Sequence, residues 1–280
     1  MDGSMMAQAA IHASQAAGVS RTFPSLRAAG MPIDARQFVT PGTRLHVAIA
    51  YSVTVVLGVV AAAATAGVVL LVIVLGWLVD LVLRRRVMAM LRGSCVEVGP
   101  EQLPAVYACV KTYAERVGLP EVPRVFVVEG NSVNAFAMRL GSRSVITLVD
   151  DVVWGALESG NHRALSFVIA HEVAHHALGH TNHLRRVLAL AYKVLSRLDE
   201  LSADAVALQL VGDRQAACDG LMMLMIGPQL MPFINREQLL AQAASVHADK
   251  QTKRAERPFT HPFLARRIHV LNQLALASRG

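Results

Sequence analysis

Five residues carry the chemistry of this chain: His171-Glu172-Val173-Ala174-His175. Two histidines four apart on a helix share one face, so both imidazoles can reach one metal ion. Glu172 is offset by about 100° and can reach a water on that metal. With 11 His among 280 residues, the pattern is expected about 0.015 times by chance. The run Ala164–Ala170 ahead of it is strongly apolar. A helix that buries so much while carrying His and Glu needs a reason to keep them inside; the plain alternative is a pair of core histidines with ordinary partners. A catalytic zinc takes three protein ligands and keeps one position open for water. The metzincin pattern would put Gly and His seven and ten residues after His171, where Leu178 and Thr181 stand, so that class is excluded. His176 and His180 are also four apart, but Ala177 follows His176 and no base accompanies them. They are expected at the surface or behind the ligands. Glu200 is the better third ligand. It is one turn from Asp204 on the same face, so Glu200 can hold zinc while Asp204 accepts a hydrogen bond from the far nitrogen of a ligating histidine. Two solvated carboxylates are the alternative, and the apolar Ala205–Leu208 after them argues for burial. Asp199 faces elsewhere and is expected to be solvated.

The elements that must position these groups lie in residues 84–280, which are enough for one domain with a real core. Glu101–Val117 reads as a helix with Val106, Cys109, Val110 and Tyr113 on one face. Pro123–Val128 and Ser144–Val149 are β-branched and bounded by Gly, Pro and Asp, as strands are. Asn161–Gly179 is a helix, and Leu184–Leu210 one or two more. Leu221–Ile234 is apolar, too short to span a membrane, and interrupted by Gly227-Pro228; it is expected in the core. Ala248–Arg257 is polar and expected as a loop, and Arg266–Ala277 as a closing helix.

Ahead of this domain the composition changes. The chain is 54% hydrophobic and 17% charged, against about 25% charged in typical soluble domains. Residues 45–79 contain no Asp, Glu, Lys or Arg, whereas one crossing needs about 20 residues. Arg44 precedes the run and Arg84, Arg85, Arg86 and Arg92 follow it, which favours both ends on the cytoplasmic side and hence a two-helix hairpin over residues 45–83 rather than one long tilted helix. Residues 1–44, rich in Ala, Gly, Ser and Met, are expected to be a mostly disordered tail. Three cysteines fit neither a disulfide framework nor a CxxC site. The net charge of +7 is dispersed or juxtamembrane and lacks aromatic interleaving, so no nucleic-acid partner is expected.

Taken together, Asn134-Ala-Phe-Ala137, His171-Glu-Val-Ala-His175, Glu200-Leu-Ser-Ala-Asp204 and His261-Pro262 followed by Arg267 resemble the HtpX-like and CAAX-prenyl-protease-like membrane zinc metallopeptidases, which are gluzincins. The resemblance covers roughly residues 97–274. It implies an α+β fold: a helix-rich, zincin-like domain with a small β-sheet after the transmembrane hairpin. It implies one Zn²⁺ per chain on His171, His175 and Glu200, with Glu172 as general base and Asp204 behind the ligands. Asn134, Ala135, Phe136 and Ala137 then border the cleft, where substrate can pair by strand addition. His261 and Arg267 polarise the scissile carbonyl or brace Asp204. It further implies the cell inner membrane and membrane-associated protein quality control, while the triple arginine Arg84–Arg86 places the catalytic domain on the cytoplasmic side. One departure stands out. Family members usually carry more spans between the second His and the third ligand; here Arg185, Arg186, Lys193 and Arg197 occupy that interval, so it cannot span.

These readings give a membrane-anchored zinc endopeptidase that hydrolyses peptide bonds through a zinc-bound water activated by Glu172. Its substrate is a peptide or protein and its other partner the lipid bilayer. The rival is a non-catalytic, membrane-anchored zinc-binding or interaction protein, which has no use for Glu172.

Overall fold

In a computed structural model of the protein, residues 31–65, 67–130 and 134–277 are described. Helix α5 (His162–Ala177) is the centre of the domain. It is buried on every side from Ala164 to Ala174, and Leu165, Phe167, Ile169, Ala170, Val173 and Ala174 are essentially inaccessible. A helix with apolar residues all round must be enclosed all round. The Asn161 side chain caps its start by accepting from the Ala164 amide.

The enclosure comes from several directions. On one side stands a four-stranded sheet of β1 (Val96–Glu97), β2 (Arg124–Val128), β3 (Ala135–Leu140) and β4 (Arg143–Val149), in the order β1-β2-β4-β3. β2 and β4 are parallel; the other two pairings are antiparallel. Val145, Ile146 and Leu148 make β4 the buried strand, whereas β3 is the edge, bonded on one side to β4. Helices α3 (Pro104–Arg116), α4 (Asp150–Glu158), α7 (Lys193–Val211) and α8 (Arg214–Ile226) complete the shell. α8 approaches α5 closely because Gly220 has no side chain: a Cβ there would lie 2.6 Å from the Phe167 ring and 3.0 Å from the Ala164 carbonyl oxygen. α11 (Leu264–Ala277) packs over α8 and α9 (Arg236–Ala248).

Between α5 and α7 lies the short α6 (His183–Ala191), so the expected one or two helices are two. The segment expected as a polar loop is helical: α9 runs to Ala248, and α10 (Lys250–Ala255) starts where the Asp249 side chain accepts from the Gln251 and Thr252 amides. That cap satisfies the first-turn donors of a helix with no buried residue. Of the expected tail, residues 1–30 lie outside the described residues. Residues 31–42 differ from the expectation of disorder. Ile33, Ala35 and Phe38 join the main core, and Ser202 on α7 accepts a hydrogen bond from the Thr40 amide.

Helices α1 (Thr43–Ala64) and α2 (Val68–Ser94) are joined by a turn at Gly67. Both have their feet on the domain. Ala50 packs with Leu188 and Leu195, and Leu91 with Phe126 and Val145. Beyond the feet their aliphatic side chains stand exposed on all sides. α1 is long and apolar enough to cross a membrane, with mean hydropathy 2.3; its 22 residues measure about 33 Å against a hydrocarbon core of about 30 Å. α2 carries Asp80 and Arg84–Arg86 in its middle.

Candidate metal centre

His171 and His175 project from one face of α5 toward α7, where Glu200 meets them. The two Nε2 atoms are 3.0 Å apart. His171 Nε2 is 3.4 Å from Glu200 Oε2, and His175 Nε2 is 3.3 Å from Glu200 Oε1. Ligands about 2.1 Å from a tetrahedral ion lie about 3.4 Å apart. The three donors therefore fit one small ion, and they form a group able to hold a metal. The charges fit as well. Buried Glu172, Glu200 and Asp204 outnumber Arg267, the one buried Arg or Lys among the described residues, which leaves the site suited to a cation.

Each imidazole has a partner on its far side. His171 Nδ1 is 2.9 Å from Asp204 Oδ1, and Arg267 grips Asp204 with Nε and Nη2 at 2.8 and 2.7 Å. Burial alone would raise the Asp204 carboxyl, but the charge and paired hydrogen bonds of Arg267 hold it below the ordinary range. Arg267 also lies 3.0 Å from Glu200 Oε2. Arg267 thus touches Asp204, as one of its two expected roles requires, and it also borders the cleft.

His175 Nδ1 is 3.0 Å from His180 Nδ1. The sequence alone did not identify this second chain. His180 Nε2 lies 3.4 Å from Asp199 Oδ1, and Arg185 Nη2 pairs with the same oxygen at 2.6 Å. Were Nε2 of His175 to hold a metal, Nδ1 would carry the proton and donate to His180, whose Nε2–H would then face Asp199. Burial keeps His180 well below the ordinary histidine range, hence neutral. Asp199 is thus buried and paired, not solvated as expected. His176 is equally buried, between Thr181 Oγ1 and the Val145 carbonyl oxygen. Gly179 makes these placements possible: its φ of +72° ends α5 and turns the chain back, and few other residues adopt that backbone. Gly179 followed at once by His180, five residues after His175, was the available signal.

The centre lies in an open cleft of about 530 Å³. Asn134, Ala135, Phe136, Ala137 and Met138 line one wall; Arg186, Ala189 and Leu190 of α6 and the segment Thr260–Leu264 line others. Glu172 reaches the cleft beside the ligands, and burial pushes its carboxyl above the ordinary value against the pull of His171 and His175. His261 stands at the rim, largely exposed, with Nε2 3.4 Å from Glu200 Oε1. All the residues expected at the site therefore border one cleft, except Asp204, which lies behind it.

Comparison with known proteins bears on this arrangement. A curated relative, the protease HtpX homolog of Desulforapulum autotrophicum, is 32% identical over 79 residues, which span 28% of this chain and 24% of that protein. The crystal structure of Ste24p from S. mikatae matches with TM-score 0.40 at 16% identity, covering 71% of this chain and 56% of that one. The model of peptidase family M48 matches residues 100–189 and 181–275, nearly the whole domain that builds the cleft. The chain spans about a quarter of the length of the HtpX homolog and about half of Ste24p; it belongs to peptidase family M48.

Proposed function

We propose that this chain is a membrane-anchored, zinc-dependent endopeptidase. The observation that carries the reading is the convergence of His171, His175 and Glu200, with Glu172 beside them, at an open cleft bordered by a free strand edge. Two imidazoles and one carboxylate are the donor set of catalytic zinc. When bound, the ion supplies Lewis acidity, which brings the pKa of a water it holds toward about 7.

The chain's own residues do the rest. An extended substrate adds as a strand to the outer edge of β3, which fixes the scissile bond across the cleft. Glu172 takes a proton from the attacking water and passes it to the leaving amine. Its raised affinity for protons suits that return. His261 donates to the carbonyl oxygen as charge develops there. Arg267 and Asp204 hold His171, and Asp199 with His180 hold His175, so neither ring turns as charge moves. α1 and α2 anchor the domain in the cell inner membrane, and the cleft faces the cytoplasm, the side on which Arg44 and Arg84–Arg86 collect. Membrane-associated protein quality control is the role this location suits.

Glu172→Gln tests the reading. The purified variant should keep one zinc per chain and lose about 10²–10⁴-fold in peptide hydrolysis. Normal turnover by the Gln variant refutes the base. Stoichiometric zinc with no hydrolysis by either protein favours the non-catalytic zinc-binding alternative.

A further inference from the structure

α6 is a short amphipathic helix whose outer side has no partner among the described residues. Its inner side is fastened: Leu188 packs with Ala50 and Leu195, and Arg185 pairs with Asp199. Leu184, Val187 and Leu190 point outward, 49%, 48% and 57% exposed, with Ala191 beside them and Arg186 at the margin. A soluble helix would carry polar residues there.

Three observations indicate what covers this side. First, α6 begins where the apolar hairpin becomes charged: Arg84 of α2 donates to His183 Nδ1 and pairs with Asp80 at 2.6 Å. Second, aromatic residues mark the same level. Trp77 lies three residues before Asp80, and Tyr51 directly follows Ala50, the residue that packs on Leu188. Both are exposed, and such residues collect at membrane–water interfaces. Third, Leu188 fastens α6 to Ala50 of the hairpin, whose aliphatic side chains are exposed as Leu184 and Val187 are, and basic Arg186 on the same helix can extend its guanidinium toward phosphate.

We propose that α6 lies on the bilayer surface, with Leu184 and Val187 in the headgroup–acyl boundary, and that the cleft therefore opens beside the membrane surface. The inference rests on the membrane-anchored reading above. α6 supplies Arg186, Ala189 and Leu190 to the same cleft that Phe136 and Met138 of β3 line, so seating its outer side on lipid sets that cleft beside the bilayer.

The full-length chain tests this in phosphatidylcholine–phosphatidylglycerol vesicles. With Cys95→Ser as background, an environment-sensitive fluorophore is placed on Leu184→Cys, Val187→Cys, Val72→Cys in the hairpin, or Glu237→Cys on α9. Labels at 184 and 187 should emit at shorter wavelength than at 237 and be quenched by lipids spin-labelled near the headgroup. Quenching at 72 but aqueous emission at 184 and 187 overturns the α6 proposal alone; no quenching at 72 overturns the membrane anchor beneath it. Shorter-wavelength emission at 184 and 187 that lipid does not quench means a second copy or another protein covers α6, and also overturns it. The double variant Leu184→Glu, Val187→Glu should cleave a vesicle-tethered acyl-peptide about tenfold more slowly, yet cleave the same peptide in solution at the wild-type rate. Equal rates on both substrates count against the proposal.

Discussion

Replacing Arg267 by Met tests the electrostatic reading of the centre. Arg267 is 5% exposed and lies within 3.0 Å of two buried carboxylates, Asp204 and Glu200. At an effective dielectric of about 20, each pair is worth about 5 kcal/mol. Part of this is offset because a buried guanidinium forfeits several kcal/mol of hydration that Met never had. The net loss should match that of breaking other buried pairs, about 3–5 kcal/mol. At about 2–4 °C per kcal/mol for a domain of this size, the melting temperature should fall by about 6–20 °C. The assay is thermal unfolding of the metal-free protein in detergent, because a bound cation would take over part of the lost charge. Asp204→Asn alone leaves Arg267 with Glu200 and should lose less. The double variant should lose less than the sum, because partners that share one network are not additive. A single Arg267→Met variant within about 1 kcal/mol of wild type, or strict additivity in the double variant, refutes the reasoning.

Other expectations follow from particular contacts. Gly220→Ala puts a methyl group 2.6 Å from the Phe167 ring and should destabilise by about 1–3 kcal/mol, measured by denaturant unfolding; no change would mean that α8 is not seated against α5 as described. His180→Ala removes the partner of His175 Nδ1 and should weaken metal binding about 10–100-fold, read by competition with a chelator, while Asp199→Asn should act in the same direction. Burial pushes the Cys218 thiol up to about 11 and the Cys109 thiol up to about 12. At pH 8 a maleimide should therefore label Cys95 alone in the native protein and all three cysteines after unfolding, counted by mass spectrometry.

Much of the metal centre was legible because it is local. His171 and His175 are held in register by one helix, and so are Glu200 and Asp204, and helical spacing decides which side chains share a face. The strands were legible for a similar reason, since Val125–Val128 and Val145–Val149 are β-branched runs between breakers. Reading composition failed at 248–257, where charge suggested a loop although Asp249 is an N-cap. It failed again for residues 31–42, whose few apolar side chains look insufficient until the domain supplies a surface for them.

What the sequence determined by itself is the candidate ligand group, the helices that carry it and the uncharged run that precedes the domain. Only the tertiary structure decided that Arg267 closes on Asp204 across 63 positions, that Asp199 is buried against His180 and Arg185, and that the outer side of α6 is left apolar beside the hairpin. The reason is range. Helix periodicity acts over a few residues and can be read from spacing, but a buried charge is tolerable only beside its partner. Which distant residue becomes that partner depends on how α5, α7 and α11 pack.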